Sequence, residues 1–231
     1  MLDQAFEALK TFDWGTDLNP LKPITEAVVA SHADAPARQE LETRLAAVLK
    51  TGVSRDAKDF VCRQLMLIGT AASVPTLAAL LPEPDHSHMA RYALERIPAA
   101  EAGQALRDAL PKVNGVLKIG VISSLGVRGD ADSVPALAAL LADGDAAIAS
   151  AAACALGDIR TPAAAKALSA AKPAAAARQA VTDGSLCGAE ALLAESQKAE
   201  ALAIYKSLMG QDQPKHVRLA ATRGMLACAG K

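Results

Sequence analysis

A nine-residue string occurs twice in this chain. Ser73-Val74-Pro75-Thr76-Leu77-Ala78-Ala79-Leu80-Leu81 returns as Ser133-Val134-Pro135-Ala136-Leu137-Ala138-Ala139-Leu140-Leu141, identical at eight of nine positions. Each copy is followed by a turn-prone stretch, Pro82-Glu83-Pro84-Asp85 or Ala142-Asp143-Gly144-Asp145, and then by a second apolar segment. Within the second segments Leu94, Leu125 and Leu156 recur every 31 residues, and Leu186 follows 30 further on. A fixed period of this length marks a stack of supersecondary units, each unable to bury its apolar face alone.

Composition decides what those units are. Hydrophobic residues make up 52% of the 231 but aromatic residues only 3%, and alanine and leucine supply most of the apolar content. Alanine has the highest helix propensity and lets neighbouring helices approach closely, whereas sheets favour β-branched and aromatic side chains. The units are therefore pairs of helices. Proline stands in the first turn of the first helices, where its missing N–H costs nothing. Glycine follows the marker in Ile68-Gly69, Leu125-Gly126 and Leu156-Gly157, and is read as a left-handed residue closing each helix.

On this reading residues 1–35 form an irregular N-terminal cap, with short helices near Leu2–Thr11 and Pro23–Ser31, and residues 36–231 form about six helix pairs. Arg38–Lys50 pairs with Arg55–Ile68, Val74–Leu81 with His86–Ile97, and Glu101–Leu110 with Gly115–Leu125. Val134–Leu141 pairs with Ala146–Ile159, and Pro162–Ala170 with Pro173–Leu186 in a degenerate fifth pair. Ala189–Met209 with Pro214–Ala229 make a sixth, longer in its first helix. Stacking buries one quasi-linear core, so residues 1–231 are expected to form a single all-α solenoid domain.

The order of signals is clearest in Val134-Pro135-Ala136-Leu137 to Leu141, then Asp143-Gly144-Asp145, then Ala155-Leu156-Gly157-Asp158-Ile159. It resembles the bacterial HEAT-like repeat, the type first recognised in phycobilisome-lyase subunits. The resemblance runs from about Arg38 to the end, is strongest over Val74–Ile159, and fades in the fifth pair, where alanines replace the consensus leucines. More loosely, the chain is similar to HEAT-repeat regions of large exported proteins of planctomycete- and verrucomicrobia-like bacteria. The resemblance implies a right-handed, HEAT-like or armadillo-type superhelix of antiparallel helix pairs.

Charge and cysteine usage narrow the partners. With 24 basic against 25 acidic residues, the chain lacks the basic excess of a nucleic-acid binder, and no nucleic acid is expected. No stretch reaches the ~18 apolar residues of a membrane span, and Met1-Leu2-Asp3-Gln4 has no signal-peptide character. A cytoplasmic protein is expected, the alternative being an exported one whose leader has been removed. Cys62, Cys154, Cys187 and Cys228 sit in apolar helical stretches without CxxC spacing and read as reduced, structural thiols. A Cys187–Cys228 bridge is the alternative outside the cytoplasm.

Catalytic patterns do not assemble. Asp85-His86-Ser87-His88 is the one metal-like grouping, but residues two apart do not share a helix face, and no third ligand completes a zinc-like spacing. Asp85 reads instead as a helix cap. Some HEAT-repeat hydroxylases hold two irons on repeated His-Glu dipeptides, and none occurs here. HEAT-like glycosylases place aromatic residues on a basic concave surface, whereas Trp14, the one tryptophan, lies outside the clear repeats. No metal site, catalytic residue or cofactor is therefore expected.

A solenoid offers its partners an extended curved surface, lined on the concave side by the second helices. The candidate binding residues there are His88, Arg91, Tyr92, Glu95, Lys118, His216, Arg218 and Arg223, with mainly Ala, Ser and Cys in the fourth and fifth pairs between them. Trp14, in Phe12-Asp13-Trp14-Gly15, either anchors a partner or covers the end of the stack. The expected role is a non-enzymatic scaffold or adaptor for a protein or peptide. The alternatives are a lyase-like subunit acting on a tetrapyrrole or other bulky ligand through Cys62, Cys154 or Tyr92, and a spacer within a larger protein.

Overall fold

The computed structural model describes residues 1–230, and every regular element among them is helical. Contacts divide the chain into two compact units, Met1–Val121 and Ile122–Lys231.

The first unit holds α1 (Leu2–Ala8), α2 (Lys22–Ala30), α3 (Ala35–Leu49), α4 (Arg55–Ile68), α5 (Val74–Ala79), α6 (Ser87–Arg96), α7 (Ala100–Ala109) and the first half of α8 (Gly115–Arg128). Helix packs on helix in two layers. The first helices α3, α5 and α7 follow one another in one layer, and α4 and α6 lie together in the other. Leu45, Leu65, Leu77, Leu94 and Leu106 are sealed between the layers, each burial contributing about 1.5–3 kcal/mol.

The second unit continues with the rest of α8, then α9 (Val134–Leu140), α10 (Ala146–Ile159), α11 (Pro162–Ala170), α12 (Arg178–Ala194), α13 (Lys198–Ser207) and α14 (Lys215–Cys228). Here α9 packs on α11, α10 runs along α12, and α12 touches both α13 and α14. Its far end is closed by a cluster around Leu192, Ile204, Tyr205, Leu208 and Val217.

Helix starts follow the sequence signals. Pro75 and Pro135 occupy the first turn of α5 and α9, and Asp145 caps α10 by accepting the Ala147 N–H at 2.8 Å. Asp85 does not cap. His86 occupies the cap position of α6 without a side-chain hydrogen bond, and its Nδ1 lies 2.6 Å from Glu83 Oε2.

The glycines differ from expectation. Gly69 is extended, at φ −63° and ψ 146°, while Gly126 and Gly157 lie inside α8 and α10. The left-handed residues that end those helices are Gly129, at φ 66°, and Arg160, at φ 55°. Gly126 and Gly157 are needed for contact. A Cβ on Gly126 would lie 2.8 Å from Ala155 Cα, and one on Gly157 would lie 2.9 Å from Gly184 Cα. The backbones of α10 and α12 meet directly at the latter pair, which is how an alanine-rich pair packs to interior density.

The fifth and sixth pairs also shift. The segment from Pro173 enters a short 3₁₀ turn at Ala175–Ala177, and α12 then runs to Ala194 instead of stopping at Leu186. It passes through Gly188, where a Cβ would stand 3.0 Å from Ala165 Cβ. The residues past Gly188 thus belong to α12, and α13 is a ten-residue helix, not a long one.

One connection between pairs is polar. Glu42 of α3 is 2% exposed. Its Oε1 accepts the backbone N–H of Thr70 at 2.7 Å and of Ser73 at 3.2 Å, and the Thr70 hydroxyl donates to both carboxylate oxygens at 2.9–3.0 Å. A side chain of one pair thereby holds the entry to α5 in the next.

Candidate interaction surface

In the first unit, the outward residues of the second helices fall into stripes of period four, as helical geometry requires. Asp59, Arg63 and Leu67 form one on α4, and His88, Tyr92 and Arg96 form one on α6. The two meet at an aromatic ring. The Arg63 guanidinium carbon lies 5.8 Å from the Tyr92 ring centroid and that of Arg96 lies 5.7 Å from it, each cation–π contact contributing about 0.5–1 kcal/mol at such an exposure. Arg63 Nε also donates to Asp59 Oδ2 at 2.8 Å, a bond that raises the guanidinium pKa further. Leu67 is 51% exposed beside them.

Arg91 turns the other way. Its Nη1 donates to the Gly120 carbonyl oxygen at 2.9 Å, and its head fills the space a Cβ on residue 120 would need, 2.5 Å from Cζ. Burial lowers its pKa, opposed by the neighbouring Glu95 charge. Arg91 is therefore a strut between α6 and α8, made possible by a glycine. His88 is exposed, its Nδ1 3.4 Å from Arg91 Nη2. Lys118 is half-buried, three and four residues before the buried Val121 and Ile122, and so shares their side of α8, not the outward stripe.

In the second unit, His216 and Arg223 are exposed on α14 with Leu219 and Leu226, while Arg218 is half-buried. Cys154 is exposed on α10 and Cys187 half-buried on α12, in the electrostatic reach of Asp158 and Asp183, which adds to desolvation in raising both thiol pKa values. All four cysteines are free, Cys187 and Cys228 included. Cys62 is fully buried, and desolvation, with a smaller push from Asp59, drives its pKa up to about 12. Among the described residues no group of three or more His, Cys, Asp or Glu side chains is arranged to hold a metal ion.

Trp14 covers nothing. It is 87% exposed on a turn fixed by the Asp13–Thr16 hydrogen bonds, with Gly15 at φ 79°. The neighbouring Phe12 does the packing, its ring 6.4 Å from that of Phe60 and its carbonyl oxygen accepting the Ser54 hydroxyl at 2.6 Å.

Sequence reading thus found Tyr92 but not its partners Arg63 and Arg96. The available signal was the period-four stripe on α4, which predicts that residues 59, 63 and 67 lie beside the stripe of α6.

No curated protein matches this chain. The solved structure of human deoxyhypusine hydroxylase in complex with glycerol aligns over 100% of this chain and 96% of its own, at 14% identity and a TM-score of 0.37. Among the described residues no helix is long and apolar enough to cross a membrane. A family model does match inside the chain: residues 112–184, spanning α8 to the start of α12, fit the description HEAT repeats, so this segment carries HEAT-like repeats within an all-helical, solenoid-type fold.

Proposed function

We propose that this chain is a non-catalytic scaffold that binds a protein or peptide across the exposed face of its second helices. The observation that carries this reading is the Arg63–Tyr92–Arg96 cluster, a half-buried aromatic with two exposed cations converging on it. Tyr and Arg are the residues most enriched at binding hot spots. The lyase-like alternative gains no support from the thiols. Cys62 is sealed and pushed to about 12, and Cys154 and Cys187 are shifted upward, whereas a nucleophilic cysteine needs a lowered pKa. The Val-Pro and Ala-Leu-Gly pattern supports a bacterial type of repeat, and four free thiols support a reducing compartment.

Photo-crosslinking tests the reading. A benzophenone amino acid is placed at position 92 on the second-helix face, or at Ala105 on the first-helix layer, and expressed in the source cells. Position 92 is expected to yield discrete crosslinked partners absent from position 105. Identical products from both positions, or none from 92, would refute a second-helix binding face.

A further inference from the structure

We infer that the face of α4 and α6 takes an acidic segment of its partner, in which carboxylates alternate with apolar side chains; granted the binding role proposed above, the charge and shape of the face specify that chemistry. With Arg91 turned onto Gly120, four cationic side chains of these two helices, Arg55, Lys58, Arg63 and Arg96, stand against Asp56, Asp59 and Glu95. The whole chain has 24 against 25, and in the same unit's other layer α3 carries Arg38 and Arg44 against Glu40 and Glu42, α5 carries no charge, and α7 carries Glu101 and Asp108 against Arg107. The first helices of this unit thus carry no cationic excess.

Geometry sharpens the point. Two guanidinium groups lie within 6 Å of one ring, at 5.8 and 5.7 Å. Each offers a fork of N–H donors suited to a carboxylate, and Arg63 commits only its Nε to Asp59. Tyr92 and the exposed Leu67 give apolar side chains a place between those forks. Asp56, Asp59 and Glu95, distributed among the cations, repel a continuous polyanion but leave room for separated carboxylates. An acidic peptide fits this alternation, and a nucleic-acid backbone does not.

The test uses the full chain and fluorescence anisotropy with a short labelled peptide of alternating glutamate and leucine. Its lysine–leucine twin and a single-stranded oligothymidylate are the competing probes. The acidic peptide is expected to bind, and the double substitution Arg63→Gln/Arg96→Gln to weaken it at least about tenfold, the order of losing charge-assisted pairs. Tyr92→Ala should weaken it similarly, and raising salt several-fold should do so as well. Arg38→Gln/Arg107→Gln on the first helices α3 and α7 should leave it unchanged. Circular dichroism melting of each variant separates lost binding from lost fold. Equal binding of the lysine twin or of the oligonucleotide, or insensitivity of a folded Arg63/Arg96 variant, overturns the acidic assignment. If the acidic peptide fails while position 92 still crosslinks a discrete partner, the chemistry is wrong and the binding role stands; if both fail, both fall.

Discussion

Replacing Glu42 by alanine is expected to destabilise the first unit by about 2–4 kcal/mol. The carboxylate is 2% exposed and accepts from the Thr70 N–H, the Ser73 N–H and the Thr70 hydroxyl. Hydrogen bonds to a charged group contribute about 1.5–3 kcal/mol each, but three on one carboxylate are not additive. The Ser73 N–H also keeps the Thr70 carbonyl as acceptor at 3.2 Å, so the Thr70 N–H bears most of the loss. Glu42→Gln keeps the shape and one acceptor oxygen, and is expected to cost about half as much. Urea denaturation followed by far-UV circular dichroism is the assay, because Trp14 is already exposed in the folded chain and reports little. With a slope of about 2 kcal/mol per molar urea, Glu42→Ala should lower the midpoint by about 1–2 M. A Glu42→Gln/Thr70→Val cycle should show coupling of about 1 kcal/mol. A midpoint for Glu42→Ala within ~0.2 M of the parent, at equal slope, would refute the idea that this carboxylate joins the pairs.

Gly157→Ala should cost the second unit about 1–3 kcal/mol, the range for overpacking, because its Cβ would meet Gly184 Cα at 2.9 Å; Gly52→Ala, with nothing within 4 Å, is the control. A melting temperature for Gly157→Ala equal to the control's would remove the backbone contact from the account. Cys62 predicts an alkaline effect. Its folded pKa, about 12, lies above the ordinary 9.0, so the folded chain holds the proton more tightly, and stability is intact below pH ~9 and falls between about 9 and 12. At about 1.4 kcal/mol per pKa unit the loss reaches a few kcal/mol, and Cys62→Ala should show a shallower decline in urea midpoint above pH ~9; parallel declines would contradict it. In the same protein at neutral pH, Ellman's reagent should label Cys154 in the folded state and Cys62 only on unfolding.

The architecture was legible because its signals are local. Proline in the first turn of α5 and α9 and the 31-residue recurrence of Leu94, Leu125 and Leu156 depend only on near neighbours along the chain. The role of Gly157 was not legible, since a glycine after Ala-Leu serves equally as a cap or as a crossing point. Only Gly184, brought opposite by the fold, decides between them. The end of α12 was misplaced for a related reason. Residues 186–194, Leu-Cys-Gly-Ala-Glu-Ala-Leu-Leu-Ala, carry one charge among small and apolar residues, so periodicity cannot say where the helix stops. Tyr92 was visible as the aromatic of its helix, whereas Arg63 and Arg96 acquire significance only when α4 lies beside α6. Nothing local in the sequence marks Glu42, because its partners are 28 and 31 residues away.

That separation has a direction. Glu42 precedes Thr70 and Ser73 in the chain, so on the ribosome the acceptor emerges before the donors it will hold. By the time α5 leaves the exit tunnel, α3 and α4 have already been made and the site that fixes its entry can be waiting. Growth of the stack from the N-terminal side thus meets a prepared surface at this junction, whereas a chain shortened past α3 would leave the Thr70 N–H to water.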